Sequence, residues 1–556
     1  MAARAAPAPG SVVEHDGDNV TDERSPLLAR VPSQQAVNDD FKSDAPRISR
    51  PRAAICVLAF AVLITLQATN ISILTVTQSA IAADLDAFEK SSWFTSAYLI
   101  AASSAGPING KLAQVLTPRI SLVISSILLG IGTLVTAFAN GFTTFVVGRA
   151  ITGVGVSGMF IVAIVVVLET ASPEKRGLLI GLLNTTFTVG VSVGATVAGA
   201  LLPLTGWRPL FWMQAPLGLS FGLALFLALP KDYFSSKSKS SDKSMLQGLA
   251  RQDYAGALML TISIVFILLA FSSPTSIPIF PIVVSVLAFG IFVIIEVRFA
   301  KEPIIPVSLL KSRGLLFTAL GTLGSMMARW SLLFYAPVYA IAVRGWSPAT
   351  GGAILIPTNL GFALGGILAG WLHIRSHASF YWPSVAIFLT FPVTLLVISS
   401  TSTATSSPVL LVVMMVLNGM LTGASLNYSF AHVLYLTPKS THYMVTSILA
   451  TFRGFSGSFA SAVGGGYFVR VLRESLTQQF ADLHLVREDL VRKLLGSPAL
   501  VRQLAGVEKE VAISGYTVAL SKLWLAAAAL AFAFAFVQAG TGWKAAPEEE
   551  EADAED

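Results

Sequence analysis

Three arginines lie inside apolar stretches that are each long enough to cross a membrane. Arg149 lies about 10 Å along the fourth stretch, Arg329 about 20 Å along the ninth and Arg453 about 15 Å along the thirteenth, at the rise of an α-helix. A charge this deep in a bilayer is costly, so each arginine is a candidate functional residue. Glu169 and Glu296 come only at helix ends. If these arginines line a binding cavity, they predict an anionic or zwitterionic substrate. The alternative is that the arginines bond carbonyls and amides and only join helices.

The composition indicates a membrane protein that catalyses no reaction. The chain is 54% hydrophobic and 12% charged, with a mean hydropathy of +0.71. Cys56 is the single cysteine, which excludes an intrachain disulfide and a cysteine metal cluster. The sequence has no nucleotide-binding loop, metal-ligand spacing or nucleophile beside a base. We therefore predict no enzyme activity, no cofactor, no metal and no nucleic-acid partner, so that any driving force must be an ion gradient.

The elements that position the arginines are about fourteen apolar stretches. A helix of roughly 20 residues spans the hydrocarbon core of a bilayer. The sequence predicts helices over 54–79, 92–112, 120–139, 142–168, 178–202, 209–229, 254–273, 279–299, 315–342, 349–372, 379–400, 408–436, 443–469 and 517–539. The fold class is therefore an all-α membrane protein.

The basic residues of the short loops predict the orientation. With a cytosolic N-terminus, that side holds 18 Lys and Arg residues, and the opposite short loops hold only Lys90, Arg208 and Arg344. Cytosolic loops carry the excess of positive charge, so both termini are predicted to be cytosolic. The segment 470–516, predicted to be a long, charged and partly helical loop, then lies on the opposite side, and long loops escape this rule.

Several motifs occur in order along the predicted helices. They are Gly110-Lys111-Leu112-Ala113 closing with Arg119, Gly148-Arg149 to Gly155, Glu169 to Gly177 with Lys175 and Arg176, the helix 5 glycines Gly190, Gly194 and Gly199, Trp207 to Trp212, and Phe452-Arg453-Gly454 to Ser458. Together they resemble the major facilitator superfamily and, within it, the fungal fourteen-helix drug:proton antiporter family, which includes vacuolar amino-acid transporters. The chain departs from this family's usual pattern at Gln114, at Ala195 and at Asn70, which stands where helix 1 usually has an Asp.

The resemblance implies a major facilitator fold of two six-helix bundles with two inserted helices. We expect a disordered tail at 1–53, bundles at 54–230 and 300–540, a cytosolic linker at 231–253, inserted helices at 254–299 and an acidic tail at 541–556. Substrate would bind near the middle of the membrane and reach either side by rocking of the halves.

The resemblance also nominates two sets of site residues. Helices 1, 4, 9 and 12 would line the cavity, which gives Gln67, Asn70, Arg149, Arg329, Asn418, Asn427 and Tyr428 as substrate-binding candidates. A conformational gate would include Gly110, Lys111, Arg119, Glu169, Arg176, Gly190, Gly194, Gly199 and Arg453, because charge clusters at helix ends and close glycine contacts can bias two states. The alternative for the basic residues is ordinary cytosolic-side charge.

The segment Glu23 to Leu28 in the N-terminal tail is similar to an acidic dileucine sorting signal, with Glu23, Leu27 and Leu28 as its key residues. It predicts binding of a sorting adaptor and a vacuolar membrane location, with the plasma membrane as the competitor. The expected function is a secondary transporter that exports a small organic solute, a drug, toxin, metabolite or amino acid, by proton antiport. Two alternatives stay open: a vacuolar amino-acid transporter specifically, and a non-transporting nutrient receptor of the same fold.

Overall fold

The computed structural model describes residues 49–170, 173–229, 253–300, 311–374, 379–438 and 442–543. Within these ranges the regular structure is helical. The helices are α1 Arg50–Asp84, α2 Trp93–Leu116, α3 Pro118–Ala137, α4 Phe142–Thr170, α5 Pro173–Thr205, α6 Arg208–Trp212 continued by Gln214–Ala228, α7 Tyr254–Phe271, α8 Ile279–Arg298, α9 Arg313–Ala342, α10 Pro348–Ala353 continued by Leu355–Ile367 and the π-turn Leu368–His373, α11 Tyr381–Thr401, α12 Pro408–Leu436, α13 His442–Phe459 continued through the π-turn Ala460–Gly464 to Gly465–Asp482, and α14 Gly506–Ala539.

Helices occupy all fourteen predicted ranges, so the predicted all-α membrane fold is confirmed. Among the described residues, eleven helices are long and apolar enough to cross a membrane. The helix α2 contacts α13, and α13 contacts α9.

The helices pack as two groups of six with a helix pair beside them. In the first group α1 packs on α5 and α6, and α4 packs on α2 and α3. In the second group α10 packs on α12, and α14 packs on α9 and α11. The pair α7 and α8 pack on each other, and α7 also contacts α2. We refer to these groups as the N-terminal half and the C-terminal half.

Glycines allow the closest helix contacts of the C-terminal half. A Cβ added to Gly361 or Gly365 on α10 would overlap the backbone of α12, and one added to Gly419 or Gly423 on α12 would overlap the backbone of α10. Small residues at such positions let helix backbones approach within membranes. This interlocked seam holds α10 and α12 as one unit.

The predicted loop 470–516 is largely helical. The helix α13 extends to Asp482, a short helix follows at Glu488–Gly496 with a 3-10 turn at Pro498–Gln503, and α14 starts at Gly506. We call Glu488–Gln503 the cap, and the end of the bundle that carries it the cap end. Buried Val491, Leu494 and Leu495 anchor the cap in the core of the C-terminal half.

The cap also reaches the N-terminal half. Arg492 pairs with Asp86 at 2.9 Å, and the backbone N–H of Ala499 donates to the Ser79 hydroxyl at 3.3 Å. Gly496 lies so close to the Phe88 backbone that a Cβ there would overlap it. The cap therefore spans the junction of the two halves at this end.

Candidate functional site

Arg149 is enclosed within the N-terminal half. Its guanidinium donates to the Asn70 side-chain oxygen at 2.9 Å, the Asn70 carbonyl at 2.9 Å and the Phe94 carbonyl at 3.0 Å, and it lies over the Tyr98 ring at 4.4 Å. Arg149 and Asn70 are both 0% exposed. The Asn70 amide donates in turn to Gln214 on α6. This geometry joins α1, α2, α4 and α6, which is the arrangement expected if Arg149 and Asn70 hold helices together.

Arg329 lies on α9 and faces α10. Its guanidinium donates to the Thr358 hydroxyl at 3.1 Å and to the Asn359 side-chain oxygen at 3.0 Å, and it lies 4.8 Å from the Phe362 ring centre. The residue is 4% exposed. The Asn359 amide donates to the Ser192 hydroxyl of α5 at 2.8 Å. Arg329 therefore binds Asn359, and Asn359 forms a hydrogen bond that joins the two halves.

Arg453 makes a direct contact between the halves. Its guanidinium on α13 donates to the Asn184 side-chain oxygen of α5 at 2.9 Å. On the other side of the bundle, Ser103 of α2 bonds the Ser458 hydroxyl of α13 at 2.6 Å, and Ser96 bonds Ser461 at 2.9 Å. Polar side chains on α5 and α2 thus bind their counterparts on α10 and α13.

The remaining substrate-binding candidates do not share one surface. Asn418 is fully buried and donates to the Thr394 hydroxyl of α11 at 2.9 Å, whereas Asn427 donates to the Gly366 carbonyl of α10. The Tyr428 hydroxyl bonds His373 Nδ1 at 2.8 Å. Gln67 is half-buried, and its own carbonyl accepts from the Tyr98 hydroxyl at 3.1 Å. The three α12 residues thus bind α10 and α11 inside the C-terminal half.

The gate glycines of α5 pack against two different helices. A Cβ at Gly190 or Gly194 would overlap α1 within the N-terminal half, whereas one at Gly199 would overlap Pro348 of α10. From the opposite side, a Cβ at Gly352 would overlap the Ala195 backbone. The halves therefore approach most tightly where α5 meets the start of α10, toward the cap end.

The remaining gate residues lie at the predicted cytosolic end. Arg119 is 7% exposed, donates to the Phe226 carbonyl of α6 at 2.9 Å and lies over the Phe226 ring at 4.5 Å. It therefore binds the last turn of α6. The side chains at positions 110, 111, 169, 175 and 176 are outside the described set. The tight turn at Gly110 and the charge cluster of Arg119 with Lys111, Glu169, Lys175 and Arg176 therefore stay predictions. The sorting residues Glu23, Leu27 and Leu28 lie outside the described residues altogether.

A small cavity lies beneath the cap. It measures about 30 Å³ and is lined by hydroxyl and amide groups of Thr75, Gln78, Ser92 and Thr95, with Leu495 and Pro498 of the cap over it. This volume holds no more than a few water molecules. The cavity beneath the cap is thus too small for an organic solute.

Sequence reasoning missed the partners of the arginines. Thr358, Asn359 and Asn184 bind Arg329 and Arg453, yet none of them was nominated. The available signal was a polar side chain within an apolar helix, since an amide in a membrane must find a partner. Asn359 in particular follows Thr358 in the middle of an otherwise apolar stretch.

Two halves that meet through buried polar side chains within a bundle of apolar helices define a multi-pass membrane protein. Residues 58–461 match the family model of the Major Facilitator Superfamily. The chain belongs to this superfamily, and the resemblance seen in the sequence is confirmed.

Proteins similar in sequence to this chain include fungal efflux pumps and a vacuolar transporter. The chain is 30% identical to the efflux pump apf11 of Gibberella fujikuroi over 58% of this chain and 59% of that one. It is 26% identical to the vacuolar basic amino acid transporter 1 of Saccharomyces cerevisiae, over 52% and 51% of the two chains. The match to MFS transporter L2 of a Phoma species is longer, at 24% identity over 91% and 85%. The chain thus spans little more than half the length of the first relatives it matches.

Solved structures show the same fold. A bacterial homologue of the human lysosomal transporter Spinster, inward-facing and occupied, superposes with a TM-score of 0.61 over 89% of this chain and 98% of that one, at 14% identity. A D-xylose–proton symporter superposes with a TM-score of 0.53 over 83% and 99%, at 15% identity. Because both identities are low, these matches speak for the fold alone.

Proposed function

We propose that this transporter exports a small organic solute from the cytosol by proton antiport, either into the vacuole or out of the cell. The observation that carries the proposal is the set of polar contacts between the halves, the partly buried contact of Arg453 with Asn184 and the buried contact of Asn359 with Ser192. These contacts can break and re-form when two rigid halves rock about a central site. The names of the fungal efflux pumps support the outward direction.

Transport by purified protein in sealed vesicles tests this proposal. With an acidic lumen and a panel of amino acids, siderophores and drugs outside, we expect accumulation of at least one solute against its gradient. A protonophore should abolish the accumulation, because the driving force is then gone. Equal uptake without the pH gradient would contradict antiport, and no uptake of any solute would favour the receptor alternative.

A vacuolar amino-acid transporter is the second candidate function. It is supported by the name of the Saccharomyces cerevisiae relative and by the segment Glu23 to Leu28. Replacing Leu27 and Leu28 with Ala should move a fluorescent fusion from the vacuolar membrane to the cell surface. A wild-type fusion that already marks the cell surface would reject the sorting signal and favour efflux from the cell.

The predicted orientation has its own test. The cap end should face the lumen or the exterior, because the short loops at the opposite end hold most of the basic residues. Val486, between α13 and the cap, is 83% exposed and tolerates an inserted glycosylation acceptor better than the tightly packed Gly496. An acceptor inserted after Val486 should be modified and one after Ser240 should not. The reverse pattern would contradict the export direction.

A further inference from the structure

The cap is attached to the two halves in different ways. On the side of the C-terminal half, Val491, Leu494 and Leu495 are buried in the core, and the Tyr516 hydroxyl of α14 donates to the Leu494 carbonyl. Buried apolar side chains hold an element firmly, because separation would expose them to water. The cap is therefore a fixed part of the C-terminal half.

Polar contacts join the cap to the N-terminal half. Arg492 pairs with Asp86 at 2.9 Å, and the two side chains are 39% and 74% exposed. The backbone N–H of Ala499 donates to the Ser79 hydroxyl of α1 at 3.3 Å. Exposed ion pairs contribute little to stability. This side of the cap can therefore separate from its partner at a smaller cost than the side that faces the C-terminal half.

A close approach of two backbones completes the contact with the N-terminal half. At Gly496 the cap passes Phe88, which lies between α1 and α2, and an added Cβ would lie 2.4 Å from the Phe88 carbonyl oxygen and 2.5 Å from its Cα. A side chain cannot occupy that space, so the contact depends on glycine at this position. Two surfaces that fit this closely exclude solutes for as long as they stay in contact.

The small polar cavity lies directly beneath this contact. Its lining comes from α1 and α2 of the N-terminal half, from α9 and α13 of the C-terminal half and from the cap, and includes Thr75, Thr95, Tyr335, Ser461, Leu495 and Pro498. At about 30 Å³ it holds no more than a few water molecules. A solute that leaves between the halves at this end therefore needs the cap to separate from one of them.

We propose that the cap is a lid carried by the C-terminal half, and that it must leave the segment 86–88 of the N-terminal half once in every transport cycle. The lid rests on the proposed transport function, since rocking of two halves opens each end in turn. The firm contact is kept and the weak contact breaks. The opening therefore lies between the cap and Ser79, Asp86 and Phe88.

Cross-linking tests which contact of the cap must break. Cys56 is buried and is the single cysteine, so Cys56→Ala provides a background without thiols. In this background, Asp86→Cys with Arg492→Cys allows a flexible bifunctional methanethiosulfonate reagent to link the cap to the N-terminal half. Arg487→Cys with Glu508→Cys is the matched control, because this pair also replaces one ion pair but links the start of the cap to α14 of its own half.

The cross-links are formed in the purified protein, and transport is measured in sealed vesicles before and after a thiol reductant opens them. We expect the link between positions 86 and 492 to lower transport at least tenfold, with recovery after reduction. The link between positions 487 and 508 should change transport less than twofold. Full transport with the cap linked to the N-terminal half would overturn the proposal, and so would an equal loss with both links.

A labelling experiment tests the lid without any transport. Thr95→Cys, in the same background, places a thiol in the cavity beneath the cap, and Gly496→Leu adds a side chain for which the contact with Phe88 has no space. We expect a water-soluble maleimide to label Thr95→Cys at least tenfold faster when Gly496→Leu is present. Arg502→Leu, at an exposed position of the cap, is the control and should leave the rate unchanged. Equal rates with and without Gly496→Leu would overturn the proposal.

The two experiments separate the lid from the proposed function. Gradient-driven transport that survives the link between positions 86 and 492 would leave proton antiport standing and reject the lid. Faster labelling with Gly496→Leu, in a protein that accumulates no solute, would support a cap that separates from the N-terminal half and reject the antiport mechanism.

Discussion

The arginines in the middle of the bundle and those at the cap end have different partners. At the cap end, Arg473 pairs with Glu89 at 3.1 Å, and Arg492 pairs with Asp86. In the middle, Arg149, Arg329 and Arg453 bind carbonyls, amides and a hydroxyl. An exposed ion pair contributes only about 0–1 kcal/mol, whereas burial of a guanidinium is expensive unless hydrogen-bond partners compensate it.

The comparison also separates the interior arginines from each other. Arg149 makes three hydrogen bonds and one contact with an aromatic ring. These contacts hold neighbouring helices together. Arg329 binds Asn359, which in turn binds Ser192 of α5, and Arg453 binds Asn184 of α5 directly. The same residue type thus joins helices within one half in the case of Arg149 and takes part in contacts between the halves in the other two cases.

The largest effect is expected for Arg149→Ala. The substitution leaves the Asn70 and Phe94 carbonyls without their donor and opens a cavity, at a cost of roughly 2–4 kcal/mol. Yield and melting temperature of the purified protein should fall markedly, and Arg149→Lys should restore only part of the loss, because an ammonium lacks the guanidinium fork. A stable Arg149→Ala protein that fails to transport would instead place Arg149 at the substrate and remove the distinction between the two kinds of interior arginine.

An intermediate effect is expected where α5 and α10 meet without any charge. Gly352→Leu would force the Ala195 backbone away and keep the halves apart at this contact. We expect the protein to fold but to transport at least tenfold more slowly, since the closed arrangement at the cap end is blocked. Gly290→Leu is the matched control, because a Cβ at Gly290 meets nothing within 4 Å. Equal transport by the two variants would show that this contact does not take part in the cycle.

The smallest effect is expected for the exposed pairs at the cap end. Replacing Asp86 and Glu89 together with Asn and Gln removes two ion pairs whose carboxylates are 74% and 42% exposed. The melting temperature should change by no more than a few degrees, and the change should shrink in high salt. The buried contacts of Leu494 and Leu495 should keep the cap in place. A large loss of stability, or a loss that persists in high salt, would show that these pairs are more than weak surface contacts.

The sequence identified many residues of the candidate site, but it did not show which of them contact each other. Arg149, Arg329 and Arg453 stood out because each is a charge within an apolar stretch. Their partners could not be assigned, because Asn184 lies 269 positions before Arg453 and nothing local joins them. The family pattern likewise grouped Asn418, Asn427 and Tyr428 with the arginines, whereas the packing of α12 directs their bonds to α10 and α11.

The sequence by itself determined the class of fold, the fourteen helical ranges and the superfamily. These follow from local quantities, since a membrane-spanning stretch must be apolar over about 20 residues and must satisfy its own backbone. Tertiary structure alone decided that Arg149 is enclosed, that Arg329 binds Thr358 and Asn359, and that the predicted loop 470–516 supplies a cap joining the halves. The reason is physical: the partner of a buried charge is set by which helices pack together, and those contacts link residues hundreds of positions apart.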